Sequence, residues 1–157
     1  MRILILEDCI ERQALMETCL AKGFPDYNVS FDRDANAFCE RVRRDGLADV
    51  ALIALDHDLE MILDDSGQLY DPGTGRDVAE CLAQLDPVCP VIIHSTNSPA
   101  AVGMEQCLQD AHWTTHRVIP FVSPVSRGSD DAAPANAEWI RTFWYRTCRK
   151  AISSSLR

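Results

Sequence analysis

Apolar residues along this chain follow two rhythms. Ile3 to Leu6 and Val50 to Leu55 are unbroken apolar runs of strand length, and Val91-Ile92-Ile93, closed by His94, is a third. A strand covered on both faces reads this way, because no position along it meets water. Val29 to Phe31 alternates with polar neighbours and reads as a short edge strand, and Arg117 to Phe121 reads as a fifth strand. Between these runs the spacing turns helical. A first helix is expected from Asp8, as N-cap with Glu11 as its capping-box partner, to about Lys22, where Gly23 and Pro25 stop it. Ala35, Phe38, Cys39 and Val42 mark a second, and Val78, Ala79, Leu82 and Leu85 a third. Ala101, Met104, Leu108 and Ala111 mark a fourth, opened by Ser98-Pro99 as N-cap and first helical residue. Ile140, Phe143, Trp144, Thr147 and Ala151 mark the last. Residues 60–74, with the turn signal Asp71-Pro72-Gly73, and the Ser/Pro/Gly/Asp-rich stretch 122–136 are expected as loops.

Strand and helix thus alternate five times, which predicts one α/β domain over residues 1–157. Its sheet would be parallel and five-stranded with helices on both faces, a three-layer αβα sandwich of flavodoxin-like strand order 2-1-3-4-5. In that order the ends of strands one, three and four are neighbours at the topological switch point. A composition of 46% hydrophobic and 25% charged residues is that of an ordinary globular protein. A net charge of −9 disfavours nucleic acid and anionic membrane as partners. Seven cysteines without a C-x-x-C pair point to a reducing compartment. With no signal-peptide pattern at the start and no apolar run near the ~18 residues of a membrane span, a cytoplasmic protein is expected.

The strand ends carry the candidate chemistry: Glu7-Asp8 after the first, Asp56-His57-Asp58 after the third, His94-Ser95-Thr96-Asn97 at the fourth. Asp8 and Asp56 at adjacent strand ends would repel unless a proton or a cation stands between them. Oxygen ligands of this kind favour Mg²⁺ or Mn²⁺ over zinc. Glu7 is either a further ligand or only the residue before the helix cap. Asp58 either ligates through its backbone carbonyl or orients His57 by accepting its ring proton. His57 and His94 could divide acid and base duties near neutral pH. Ser95 and Asn97 suit phosphate or metal-bound water, and equally suit helix capping. Thr74-Gly75 opens a helix whose amides could hold an anionic oxygen, or simply caps it.

Ile3 to Asp8, with Asp56 and Ser95, resembles a response-regulator receiver domain: the metal-binding acidic pair, the phosphoacceptor aspartate and the Ser/Thr that contacts the phosphoryl group. The lysine that receivers keep at the end of the fifth strand is missing, since that site reads Ile119-Pro120. A closer resemblance is to the cyclic-phosphate processing receiver domains. It rests on Leu55-Asp56-His57-Asp58-Leu59, Thr74-Gly75, His94-Ser95-Thr96-Asn97 and Gly103-Met104 together. The resemblance implies metal-assisted hydrolysis of a small phosphorylated nucleotide, with a cyclic phosphate as the bond opened. Metal would be held by Glu7, Asp8, Asp56 and Asp58, with His57, His94 and Asp56 catalytic and Ser95, Asn97, Thr74 and Gly75 on the substrate. The alternative is a signalling module with a protein partner, in which Asp56 is a phosphoacceptor or the chemistry is lost.

Overall fold

The computed structural model describes residues 1–120 and 138–155. The loop expected over 122–136 and the expected strand end at Phe121 lie outside the described residues. The elements follow in order as β1 (Arg2–Leu6), α1 (Ile10–Gly23), β2 (Asn28–Asp32), α2 (Ala35–Asp45), β3 (Val50–Leu55), β4 (Ile62–Leu63) and β5 (Leu69–Tyr70). After these come α3 (Gly75–Leu82), β6 (Val91–His94), α4 (Ser98–Asp110) and β7 (Thr115–Val118). A π-helical turn (Ile140–Trp144) then leads into α5 (Tyr145–Ser155).

The main sheet is parallel, in the order β2-β1-β3-β6-β7. It is the doubly wound order expected from the alternation of strands and helices, with two extra short strands inserted in the numbering. Side chains alternate across a strand with period two, and the sheet divides its apolar residues accordingly. Leu4, Leu6, Ile53, Leu55, Val91 and Ile93 pack with Phe38 and Val42 of α2, Val78 and Leu82 of α3, and Met104 and Leu108 of α4. Ile3, Ile5, Leu52, Ala54 and Ile92 face the other way, onto Met16 and Leu20 of α1 and onto Trp139, Ile140, Trp144, Cys148 and Ile152. Burying both indoles on that face secures the C-terminal segment, since a large aromatic truncated in a core typically costs about 3–5 kcal/mol.

Five local expectations are revised. The cap of α1 is Cys9, without a side-chain bond, because the Asp8 carboxylate is claimed elsewhere: its Oδ2 accepts the amide of Glu60 at 2.7 Å. At α4 the cap is Asn97 rather than Ser98, its Oδ1 accepting the Ala100 amide at 3.3 Å. Residues 60–74 hold a small antiparallel hairpin, β4–β5, where only loop was expected. Phe143 is 49% exposed; the wider π turn keeps Ile140 and Trp144 buried and leaves Phe143 to the side. The last strand spans Thr115–Val118, starting two residues earlier than its sequence pattern suggested.

Candidate functional site

The period of two that sorts the core also builds the site. Ile5, Ala54 and Ile92 are cross-strand partners on β1, β3 and β6, and all three face α1 and α5. Two residues further along each strand direction stand Glu7, Asp56 and His94. The apolar row therefore continues into a polar row across three neighbouring strand ends, about 4.8 Å apart per strand. One oxygen each of Glu7 and Asp56 and one nitrogen of His94 all lie within 4.8 Å of one another. Glu7 and His94 are fully buried and Asp56 is 5% exposed.

Arg12, one turn into α1, spans this row. Its Nη2 donates to Glu7 Oε1 at 2.7 Å and to Asp56 Oδ2 at 2.9 Å, and stands 3.4 Å from Asp8 Oδ1. Asp8 and Asp56 thus meet around one nitrogen, so the two carboxylates do converge. Behind Glu7 the charge is answered less completely. Its Oε2 lies 3.4 Å from His94 Nε2, too loosely aligned for a hydrogen bond, and both nitrogens of His94 and this oxygen lack a partner among the described residues. The imidazole is enclosed by Trp139 and Trp144, whose ring centroids lie 6.3 and 6.1 Å from its own.

Burial dominates the electrostatics of this row. It pushes the Asp56 carboxyl up to about 6, with the Glu7 charge adding to the rise, while His94, Arg12 and the His57 amide oppose it. Burial also works to raise Glu7, but His94, Arg12 and the Cys9 amide together hold its carboxyl below the usual range. Two neighbouring carboxyls are thereby driven in opposite directions, the usual consequence of like charges sharing a small buried space.

A cleft of about 550 Å³ opens in front of the row, within the size range of small-molecule sites. Asp8, Asp56, Asp58 and Glu60 line it, with Arg12 and Arg33 as its cations and Thr96 and Pro120 at its edge. His57 stands between two of these residues: its amide donates to Asp56 Oδ1 at 2.7 Å, and its Nδ1 pairs with Asp58 Oδ1 at the same distance. Of the two roles open to Asp58, its side chain is placed for orienting His57. Asn97 Nδ2 also reaches Asp58 Oδ1, at 3.3 Å, while Ser95 Oγ accepts the Asn97 amide at 3.1 Å. None of the expected substrate residues Ser95, Asn97, Thr74 and Gly75 lines the cleft, and neither does His57. The Thr74 hydroxyl donates to Asp77, and the Gly75 amide donates to the His57 carbonyl at 3.0 Å. Sequence reasoning missed Arg12, Arg33 and Glu60, and named Thr96 only as part of the His94 phrase, without a role. Arg12 had a signal, since a residue four beyond Asp8 on a helix returns to the same side of it; Glu60 had none.

A sequence profile described as the cyclic-phosphate processing receiver domain matches residues 2–110. The chain belongs to this family. The match covers the acidic pair, Asp56-His57-Asp58, Arg12 and the His94 phrase. Comparison with curated protein sequences gives no match. Among solved structures, the chain is similar to a response regulator receiver domain from Rhodospirillum rubrum, at 16% identity, TM-score 0.62, covering 100% of this chain and 95% of that one. It is also similar to the response regulator domain of Thermotoga maritima CheB, at 13% identity and TM-score 0.61, covering 98% and 96%. The Mn²⁺-bound form of response regulator Rcp1 matches at 20% identity and TM-score 0.54, covering 93% and 95%. At these identities the likenesses establish the receiver fold of the family member described here.

Proposed function

We propose that this receiver-like domain hydrolyses a small phosphorylated nucleotide, opening a cyclic phosphate, with a divalent cation at the strand-end carboxylates. The observation that carries the reading is the convergence of Glu7, Asp8 and Asp56 on one buried point facing an open cleft, in a family described by cyclic-phosphate processing. Three carboxylates against the single guanidinium of Arg12 leave negative charge uncompensated, and Glu7 Oε2 is an orphaned buried acceptor; both features suit a cation. The Mn²⁺-bound state of Rcp1 supports Mn²⁺ or Mg²⁺ in that role. Such an ion supplies charge neutralisation for phosphoryl oxygens.

The chain's own residues supply the rest. Asp8 and Asp56 present oxygens at the cleft floor. Arg33 is exposed at the cleft wall and pairs with no described residue, which leaves its guanidinium free to bind a phosphate. Asp58 holds Nδ1 of His57, so Nε2 is left as the basic nitrogen of the neutral ring. His57 does not itself line the cleft, but it joins Asp56 and Asp58, which do, so it is the imidazole we assign to proton exchange with a ligand, while His94 is enclosed. A signalling module built on Asp56 phosphorylation is the rival reading, and the cleft composition disfavours it. The chain has two lysines, Lys22 and Lys150, and neither lines the cleft.

The test follows ribose cyclic phosphates by phosphorus NMR with the purified protein and Mn²⁺ or Mg²⁺. Ring opening is expected, falling about 10²–10⁴-fold in His57→Ala, with KM rising in Arg33→Ala. Robust labelling of Asp56 by acetyl phosphate, with no cyclic phosphate opened, would overturn the reading in favour of signalling.

A further inference from the structure

The enclosed imidazole of His94 has no place in the acid–base scheme, yet it is the least satisfied polar group in the site. Neither ring nitrogen has a hydrogen-bond partner among the described residues, and the facing oxygen of Glu7 has none either. Leaving such groups dry and unpaired is costly. Apolar residues would fill this space more cheaply if only packing were needed.

We infer that His94 is a metal ligand, and that Glu7, Asp56 and His94 form a two-carboxylate, one-imidazole centre that selects Mn²⁺ or a later transition-metal ion over Mg²⁺. The inference rests on the proposed metal dependence and specifies which atoms hold the ion. The three groups occupy one lateral row, two residues beyond the paired Ile5, Ala54 and Ile92. Their candidate ligand atoms lie within 4.8 Å of one another. Donors on one ion at about 2.0–2.2 Å stand at most about 4.4 Å apart, so the row is within a few tenths of an ångström of a chelating set. The Glu7 Oε2 to His94 Nε2 distance of 3.4 Å already satisfies that limit. Arg12 engages the other Glu7 oxygen, Oε1, which leaves Oε2 open toward His94; on Asp56 it holds Oδ2 and the His57 amide holds Oδ1, so an ion would share one of these oxygens through its second lone pair.

Ligand chemistry then sets the preference. Mg²⁺ demands oxygen and keeps much of its water, and a buried imidazole offers it little. Transition ions accept imidazole readily. A metal-bound histidine usually has its second nitrogen held by a carboxylate or carbonyl. Here two indoles fix the ring by packing instead, which keeps its surroundings apolar.

The experiment loads the chelator-stripped full chain with Mn²⁺ and records electron spin-echo envelope modulation. Modulation from a directly bound ¹⁴N is expected, and it should persist in His57→Ala, which removes the other nearby imidazole. Titrations should show Mn²⁺ binding at least about tenfold tighter than Mg²⁺, with the gap closing in His94→Gln and Mg²⁺ affinity little changed. Bound Mn²⁺ without nitrogen modulation would overturn the inference and leave an oxygen-only site at Asp8 and Asp56, with the proposed function intact. Failure of any divalent ion to bind at millimolar concentration would remove both. The spectroscopic readout on the unmutated protein holds even if His94→Gln fails to fold.

Discussion

Asp56 lies under two opposing demands. Its position at the end of β3, 5% exposed, makes ionisation expensive, while its partners Arg12 and the His57 amide favour the charged form. Burial wins, and the carboxyl titrates near 6 instead of 3.8. The sign of the consequence is fixed by which state holds the proton. Between about pH 4 and 6 the unfolded chain has released it and the folded protein has not, so stability is highest at the acid end of this window. It falls as pH rises through 6, by about 3 kcal/mol at most for a shift of this size. Glu7, shifted downward from 4.5, acts in the opposite sense from the acid end of this window downward. Urea unfolding of the metal-free protein across pH 4–7 should therefore lose stability with rising pH, and Asp56→Asn should flatten that slope. Parallel curves for the two proteins would place the Asp56 titration elsewhere.

The elements hold this carboxylate in place through one close approach. Gly75, the first residue of α3, donates its amide to the His57 carbonyl, and a Cβ there would stand 2.0 Å from the Asp56 carbonyl oxygen and 2.9 Å from Met104 Cε. The Thr74-Gly75 phrase thus has a packing reason in addition to any role toward an anion. Gly75→Ala should cost about 1–3 kcal/mol, as overpacking does, and weaken Mn²⁺ binding because α3 and the loop after β3 must separate. Gly103→Ala is the matched control. Its Cβ would meet only the flexible end of Arg76, so helix propensity should make it neutral or up to about 1 kcal/mol stabilising. Denaturant midpoints with parallel metal titrations check both; equal effects at the two glycines would contradict the close-approach argument. The same scale explains what the sequence could reveal. β1, β3 and β6 were legible because both faces are covered and their polar ends follow directly. The β4–β5 hairpin was not, since Ile62-Leu63 and Leu69-Tyr70 are two-residue pieces too short and too exposed to show a period. Asp8 was misplaced as a cap because its true partner, the Glu60 amide, is 52 residues away, beyond any local pattern.

Across the whole molecule, a parallel sheet gathers every strand's C-terminal end on one side, and this chain fills that side with acid. Asp8, Glu11, Asp56, Asp58 and Glu60 line the cleft against Arg12 and Arg33, in a protein whose net charge is already −9. Self-repulsion of this kind destabilises the compact state. A cation binding only the folded protein should relieve it: at a hundred times its Kd the gain is about 2.7 kcal/mol. For a domain of this size each kcal/mol moves Tm by about 2–4 °C, so saturating Mn²⁺ should raise Tm by about 5–10 °C. Sodium chloride of equal ionic strength should recover only a small part of that rise, because screening acts on exposed charges and reaches buried ones poorly. Asp56→Asn should remove most of the Mn²⁺-specific gain while leaving the salt response unchanged. Calorimetry of the two proteins in chelator, in Mn²⁺ and in matched salt decides the matter. A Tm gain of equal size in Mn²⁺ and in salt would mean that the carboxylates act as a diffuse acidic surface, without a bound ion.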